Sequence, residues 1–325
     1  MPKAVVEIRT GLLEHPAVKA WSSLQPARVA PECIHVLRQG RHTGLDVYRL
    51  TGVGPGGSTV IAKRCPTASI ERTVYEEVIP HLPVTVPRYY GSREADAGSC
   101  WLFLEDVGGE RYSELDEEHR ALASRWLGLM HTSAAGVAAA ARLPDGGPGR
   151  YLAYLRSTRE TIVRNLANRY ITAGDRPVRE AIVAQLGALE SRWSRVEASC
   201  EGVPSTLIHG DFRPKNAHIR RDHAGISLFP LDWETAGWGV PAADLTRVDI
   251  AAYWSVVREC WPGVTMRTLR RLARTGQVFQ WLAALSWDSP GLARDDYDFV
   301  RHAMACLEVY QGKLGDAIRA AGLAR

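Results

Sequence analysis

Two kinds of hydrophobic spacing divide the chain. In the first hundred residues, short apolar runs stand between Gly-rich turns: Cys33-Ile-His-Val-Leu37, Asp46-Val-Tyr-Arg-Leu50, Thr59-Val-Ile-Ala62 and Trp101-Leu-Phe-Leu104. Runs of that length, bounded by turn residues, predict strands. Between the third and fourth, Val74, Tyr75, Val78, Ile79 and Leu82 recur at helical spacing and predict one helix from Ile70. Beyond Glu105 the spacing becomes helical over 116–131, 150–171, 177–199 and from Pro241 onward. Gly146-Gly-Pro-Gly149 and Thr172-Ala-Gly-Asp175 read as loops. The helical pattern breaks near 200–240, where Thr206-Leu-Ile208 and Ile226-Ser-Leu-Phe229 are expected to pair with each other around a polar loop. The pattern predicts an α+β chain with an N-terminal lobe over 1–104, a hinge over 105–109 and a mainly helical lobe over 110–325.

Composition narrows the function. The 325 residues are 46% hydrophobic and 23% charged, the balance of a globular protein with a buried core. Forty basic residues against 36 acidic ones leave a net charge of +4, too near balance to call for nucleic acid or a membrane as partner. Cys33, Cys65, Cys100, Cys200, Cys260 and Cys306 lie far apart, so neither a disulfide framework nor a zinc ribbon is indicated. Charges at Glu7 and Arg9 interrupt any signal-like run, and a cytoplasmic location is expected. Lysine is scarce: Lys3, Lys19, Lys63, Lys215 and Lys313 stand against a large excess of arginine. A lysine at the end of an apolar strand, as Lys63 is, therefore invites a functional reading.

The most informative stretch is His209-Gly-Asp-Phe-Arg-Pro-Lys-Asn216, followed by Asp232-Trp-Glu234. Asp211, Asn216 and Asp232 each follow an apolar run, so two carboxylates and an amide are presented just beyond strands. Hard oxygen donors of this kind suit Mg2+. Two carboxylates about 4 Å apart repel by roughly 4 kcal/mol at an effective dielectric of 20, so such a group needs a cation or a proton.

Together with Leu231-Asp-Trp-Glu234 and Gly237-Trp-Gly-Val-Pro-Ala-Ala-Asp-Leu245, the motif H-G-D-F-x-x-x-N resembles the aminoglycoside phosphotransferase and choline kinase family. The resemblance implies a protein-kinase-like two-lobe fold, with a small antiparallel sheet plus helix and a large helical lobe. It implies an ATP- or GTP-dependent, Mg2+-dependent kinase acting on a hydroxyl of a small molecule. Asp211 would orient or deprotonate that hydroxyl, Asn216 and Asp232 would bind Mg2+, and Lys63 would contact nucleotide phosphates. Lys63 ends a strand of the V-A-I-K type, and its partner is expected to be Glu71, with Glu76 or Glu77 as alternatives. His209 is expected to support the catalytic loop and Asp244 to brace it.

Gly52-Val-Gly-Pro-Gly-Gly57 fits G-x-G-x-x-G by letter, yet it precedes a strand rather than a helix and contains Pro55, so it reads as a turn. The phosphate-covering loop is placed instead at 38–44, with Gly40 and Gly44, and Glu105 and Val107 are expected to meet the adenine edge. Acidic and aromatic residues mix in the helical half, a combination that suits a cationic acceptor. Glu234, Trp233, Trp238 and Asp249 are the expected acceptor contacts. An aminoglycoside or similar polar natural product is the first expectation. Choline, a sugar, a nucleoside or another small metabolite is the second, and a nucleotide-binding pseudokinase module belongs to another class.

Overall fold

The computed structural model describes residues 6–26, 29–39, 45–67, 69–95, 98–223 and 225–324. Gly40 and Gly44 lie outside them. The chain packs as two units.

The first unit is built on a six-stranded antiparallel sheet. Its strands are β1 (Val6–Ile8), β2 (Ile34–Arg38), β3 (Val47–Leu50), β4 (Val60–Pro66), β5 (Tyr89–Ala95) and β6 (Ser99–Glu105), in the spatial order β1-β2-β3-β4-β6-β5. Period-two alternation sorts the side chains of β4 onto two faces. Val60 and Ala62 join Trp101 and Phe103 in a core that includes Ala17, Val18 and Trp21 of helix α1 (Pro16–Ser22). Cys65 lies on the opposite face with Cys100 and Leu102. Lys63 shares the Cys65 face and sits directly opposite Leu102, so the register of one strand determines where the lysine points.

Residues 70–81 form a composite element rather than the single α-helix expected. An α-helical turn, α2 (Ile70–Thr73), begins at Ser69, whose side chain accepts from the Arg72 N–H at 3.1 Å. A π turn (Val74–Val78) and a 3-10 turn (Ile79–His81) follow. The apolar residues that suggested a helix are buried, with Glu71 among them at 1% exposure. The loosened turn is the difference, and such wide turns concentrate near functional residues.

Residues 214–234 pack with this first unit although they lie far along the chain. Strands β7 (Glu110–Arg111), β9 (Ala217–Asp222) and β10 (Gly225–Pro230) form a three-stranded antiparallel sheet in the order β10-β9-β7. Gly109, at φ 71°, is required there because a Cβ would come within 2.1 Å of the Ile219 carbonyl oxygen.

The second unit is mainly helical: α3 (Glu117–Ala134), α4 (Pro148–Arg164), α5 (Arg176–Glu190), α6 (Trp193–Cys200), α7 (Ile250–Val257), α8 (Met266–Asp288) and α9 (Tyr297–Ala320). Two short strands, β8 (Thr206–Ile208) and β11 (Gly237–Gly239), pair antiparallel inside it. This corrects the expected pairing of 206–208 with 226–229. Residues 225–230 instead fold back on 217–222 as a hairpin, Leu228 opposite Ile219. The hairpin satisfies the backbone of 226–229 locally, which leaves Thr206–Ile208 to pair with the next extended run.

Candidate active site

In the first unit one ammonium is held by two carboxylates. Lys63 Nζ lies 2.5 Å from Glu71 Oε2 and also donates to Asp232 Oδ1. Lys63 comes from the inner face of β4, Glu71 from the first turn of α2 and Asp232 from the loop after β10. Lys63 and Glu71 are buried and Asp232 keeps part of its surface. Burial lowers the pKa of Lys63, but the charges of Glu71 and Asp232 outweigh it and leave it raised. Glu71 is pushed above the usual carboxylate range, first by burial and further by Asp232, with Lys63 pulling the other way. Glu234 moves upward for the same two reasons, burial and the neighbouring Asp232. Asp232 contributes to both shifts, so the three carboxylates lie close enough to influence one another beside the single ammonium.

The alternatives for Glu71 are otherwise engaged or exposed. Glu76 accepts from Tyr89 Oη at 2.5 Å, Ser92 Oγ at 2.7 Å and Arg72 Nε at 3.1 Å, and Glu77 is exposed. Asp232 has φ 67°, the single non-glycine residue with positive φ among those described. Aspartate tolerates the left-handed region better than most side chains, yet the conformation costs of order 1 kcal/mol and is characteristic of functional loops. Asn216 is buried at the end of the 3-10 turn Pro214–Asn216, and its carbonyl accepts from Leu231 N–H at 2.8 Å. That bond ties the segment bearing Asn216 to the segment bearing Asp232.

In the second unit a different device holds Asp211. Asp244, fully buried, accepts from the backbone N–H of His209 at 2.7 Å and of Gly210 at 2.9 Å, and His131 Nε2 lies 3.3 Å away. Burial would raise the Asp244 carboxyl, but His131, His209 and these hydrogen bonds hold it below the usual range. His209 is itself wholly buried, and its Nδ1 accepts from the Asp211 N–H at 3.4 Å. Gly210 has φ 79°, and a Cβ there would lie 2.5 Å from the Thr235 carbonyl oxygen. Only glycine fits before Asp211. Asp244 and His209 thus both hydrogen-bond the backbone of the segment that carries Asp211.

One residue beside Asp211 escaped that reading. Arg213 forks onto its carboxylate, Nε to Oδ1 at 2.5 Å and Nη2 to Oδ2 at 3.0 Å, and its guanidinium lies 5.3 Å from the centre of the Trp287 ring. A pocket in this unit is lined by Asp211, Arg213, Arg247, Gln280, Trp281 and Trp287, among others. The signal was present in the motif, where Arg213 stands two residues after Asp211.

None of the four expected acceptor residues is among those lining this pocket. Trp233 is enclosed in the first unit's core with no exposed surface. Glu234 belongs to the Lys63 and Asp232 neighbourhood. Trp238 lies in β11, bonded through its backbone to Pro144 and Gly146. Asp249 caps α7, accepting from Ala251 N–H at 2.7 Å and Ala252 N–H at 3.1 Å. Of the expected hinge residues, Glu105 pairs with Arg220 at 2.5 Å and accepts from Arg88 N–H, while Val107 is buried. Among the described residues, no helix is long and apolar enough to cross a membrane.

The donor set around Lys63 suits Mg2+. Asp232 offers hard carboxylate oxygens there, and Asn216 lies on a segment joined by the Leu231 hydrogen bond to the one that bears Asp232.

Comparison with known proteins bears on the fold and the family. No curated protein sequence matches the chain. Solved structures do, at low identity. A choline kinase from Cryptosporidium parvum matches with a TM-score of 0.60 at 13% identity, covering 89% of this chain and 91% of that one. The spectinomycin phosphotransferase APH(9)-Ia, solved with ADP and spectinomycin, matches at 0.59 with 10% identity, covering 89% and 94%. The GDP and kanamycin complex of APH(2")-IIia matches at 0.58 with 14% identity, covering 90% and 97%. Such likenesses show a protein-kinase-like fold. The family profile described as a phosphotransferase enzyme family spans residues 42–285, and with well over half of its length matched the chain belongs to that family of small-molecule phosphotransferases.

Proposed function

We propose that the protein transfers the γ-phosphoryl group of ATP or GTP to a hydroxyl of a small molecule, with Mg2+ as cofactor. The observation that carries this reading is the ammonium of Lys63 set between Glu71 and Asp232. An ammonium shared by two carboxylates can release one of them to a metal and turn toward phosphate oxygens while keeping the other as its anchor. Glu71 is that anchor, since it is buried, and Asp232 is the partner that can leave. Asp232 and Asn216 would hold Mg2+, which when bound neutralises phosphate charge.

Asp211 would accept the proton of the acceptor hydroxyl as its oxygen attacks the γ-phosphorus. The new P–O bond forms as the bond to the bridging β,γ-oxygen breaks, and the nucleoside diphosphate leaves. Asp244 acts through the loop backbone and is a positioning residue. The related structures solved with ADP and GDP support a purine nucleotide as donor. They also make kanamycin and spectinomycin natural members of an acceptor panel, alongside choline, sugars and nucleosides.

The test is Mg2+-dependent release of ADP or GDP across such a panel. Asp211→Ala should lower turnover by at least ~10²-fold with nucleotide affinity nearly intact, because its carboxylate serves the acceptor. Near-normal turnover in that variant would remove Asp211 from the role. Silence across a broad panel, with nucleotide still bound, would favour a binding module.

A further inference from the structure

The charges around Asp211 bear on what the acceptor is, and this step rests on the kinase reading above. A polyammonium acceptor needs several carboxylates facing it, and the pocket beside Asp211 does not supply them. Its charged lining residues are Asp211, Arg213 and Arg247, one acid against two bases. Arg247 is paired with Glu114, and Asp211 is covered by Arg213. Four acids of the helical half are engaged elsewhere. Asp249 and Asp296 cap helices, Asp288 accepts from Tyr310 at 2.8 Å, and Asp295 pairs with Arg169 at 2.8 Å.

We propose that Arg213 is the acceptor-recognising residue and that the acceptor carries a carboxylate beside its hydroxyl, with an apolar or aromatic portion against Trp281 and Trp287. In the present arrangement Asp211 itself occupies the guanidinium fork. A carboxylate has the planar two-oxygen geometry the fork fits, so an incoming acceptor anion can take the place of Asp211 on Arg213. That exchange keeps Arg213 neutralised and frees the Asp211 oxygens to accept the hydroxyl proton. Stacking near Trp287 holds the guanidinium in place during the exchange. The acceptor would thus uncover the base that activates it, and a cationic acceptor would meet Arg213 and gain nothing.

The experiment compares 3-phenyllactate, its neutral diol analogue 3-phenyl-1,2-propanediol and kanamycin as acceptors, by nucleoside diphosphate release, in the wild type, Arg213→Gln and Arg213→Lys. Binding of the same three compounds is measured in parallel by calorimetry. The wild type should prefer phenyllactate over the diol by at least ~10-fold in kcat/KM, the scale of one charge-assisted fork. Arg213→Gln should abolish that preference, and Arg213→Lys, which keeps the charge without the fork, should restore part of it. Kanamycin used as well as or better than phenyllactate by the wild type would overturn the proposal and leave the kinase reading standing. So would an equal loss on all three acceptors in Arg213→Gln, since the fork would then serve the phosphate donor. Arg213-dependent phenyllactate binding without diphosphate release from any compound would overturn the kinase reading and keep the anion site.

Discussion

Lys63 and Asp244 are both charges removed from water, and they are held in opposite ways. Lys63 rests between two carboxylate side chains, one buried and the other partly exposed on a left-handed loop residue. Asp244 is fixed by two backbone N–H groups and a buried imidazole, none of which has another place to go. The first arrangement suits an exchange of partners, as a metal and a triphosphate would demand. The second suits permanence, as a loop that must present one carboxylate in one position would demand. The contrast separates an arrangement open to exchange from one that is fixed, although each is a buried carboxylate beside a basic side chain.

The contrast can be broken most sharply at Asp244. Asp244→Ala leaves two buried N–H groups and a histidine without their acceptor and should destabilise the fold by about 3–5 kcal/mol. Urea unfolding monitored by tryptophan fluorescence measures this, and a loss under about 1 kcal/mol would make the brace ornamental. A smaller effect is expected at Asp232, where asparagine keeps the left-handed backbone while deleting the charge. Asp232→Asn should weaken nucleotide binding in Mg2+ by about 10-fold or more and change stability by no more than about 1 kcal/mol, because Glu71 still holds Lys63. Unaltered Mg2+-nucleotide affinity in a calorimetric titration would refute the ligand assignment.

The subtlest effect is in pH. The folded Asp244 carboxyl lies below its ordinary value of 3.8, so its stabilisation is complete above that value and is lost as pH falls through the folded pKa. The acid limb of wild-type stability should therefore be steeper than that of Asp244→Asn, by at most about 1.4 kcal/mol per pH unit for one proton. Parallel limbs would show that Asp244 is not the group responsible.

The legible parts of the molecule were those encoded locally. Lys63 and Glu71 could be paired from the sequence because strand alternation and a helix start are short-range patterns, and Ser69 marks that start. The loop from His209 to Asn216 could be singled out because its spacing resembles a family motif, and the structure holds its backbone on Asp244. Pairing of Thr206–Ile208 was not, since three apolar residues carry no register and the outcome depends on which competitor folds locally first. The fates of Asp249 and Trp233 were equally hidden. An aspartate before a helix reads as a cap only once the helix start is known, and a tryptophan in a functional motif gives no sign of which way its ring turns. Arg213 was in plain view, but its letter says nothing about forking onto a neighbour two residues away.

Gly210 carries one more implication. The Thr235 carbonyl oxygen lies where a Cβ at position 210 would stand, so the turn just before Asp211 admits no side chain. The shape of the loop is thus written into the backbone, and a substitution at position 210 would have to displace Thr235 before Asp211 could keep its place.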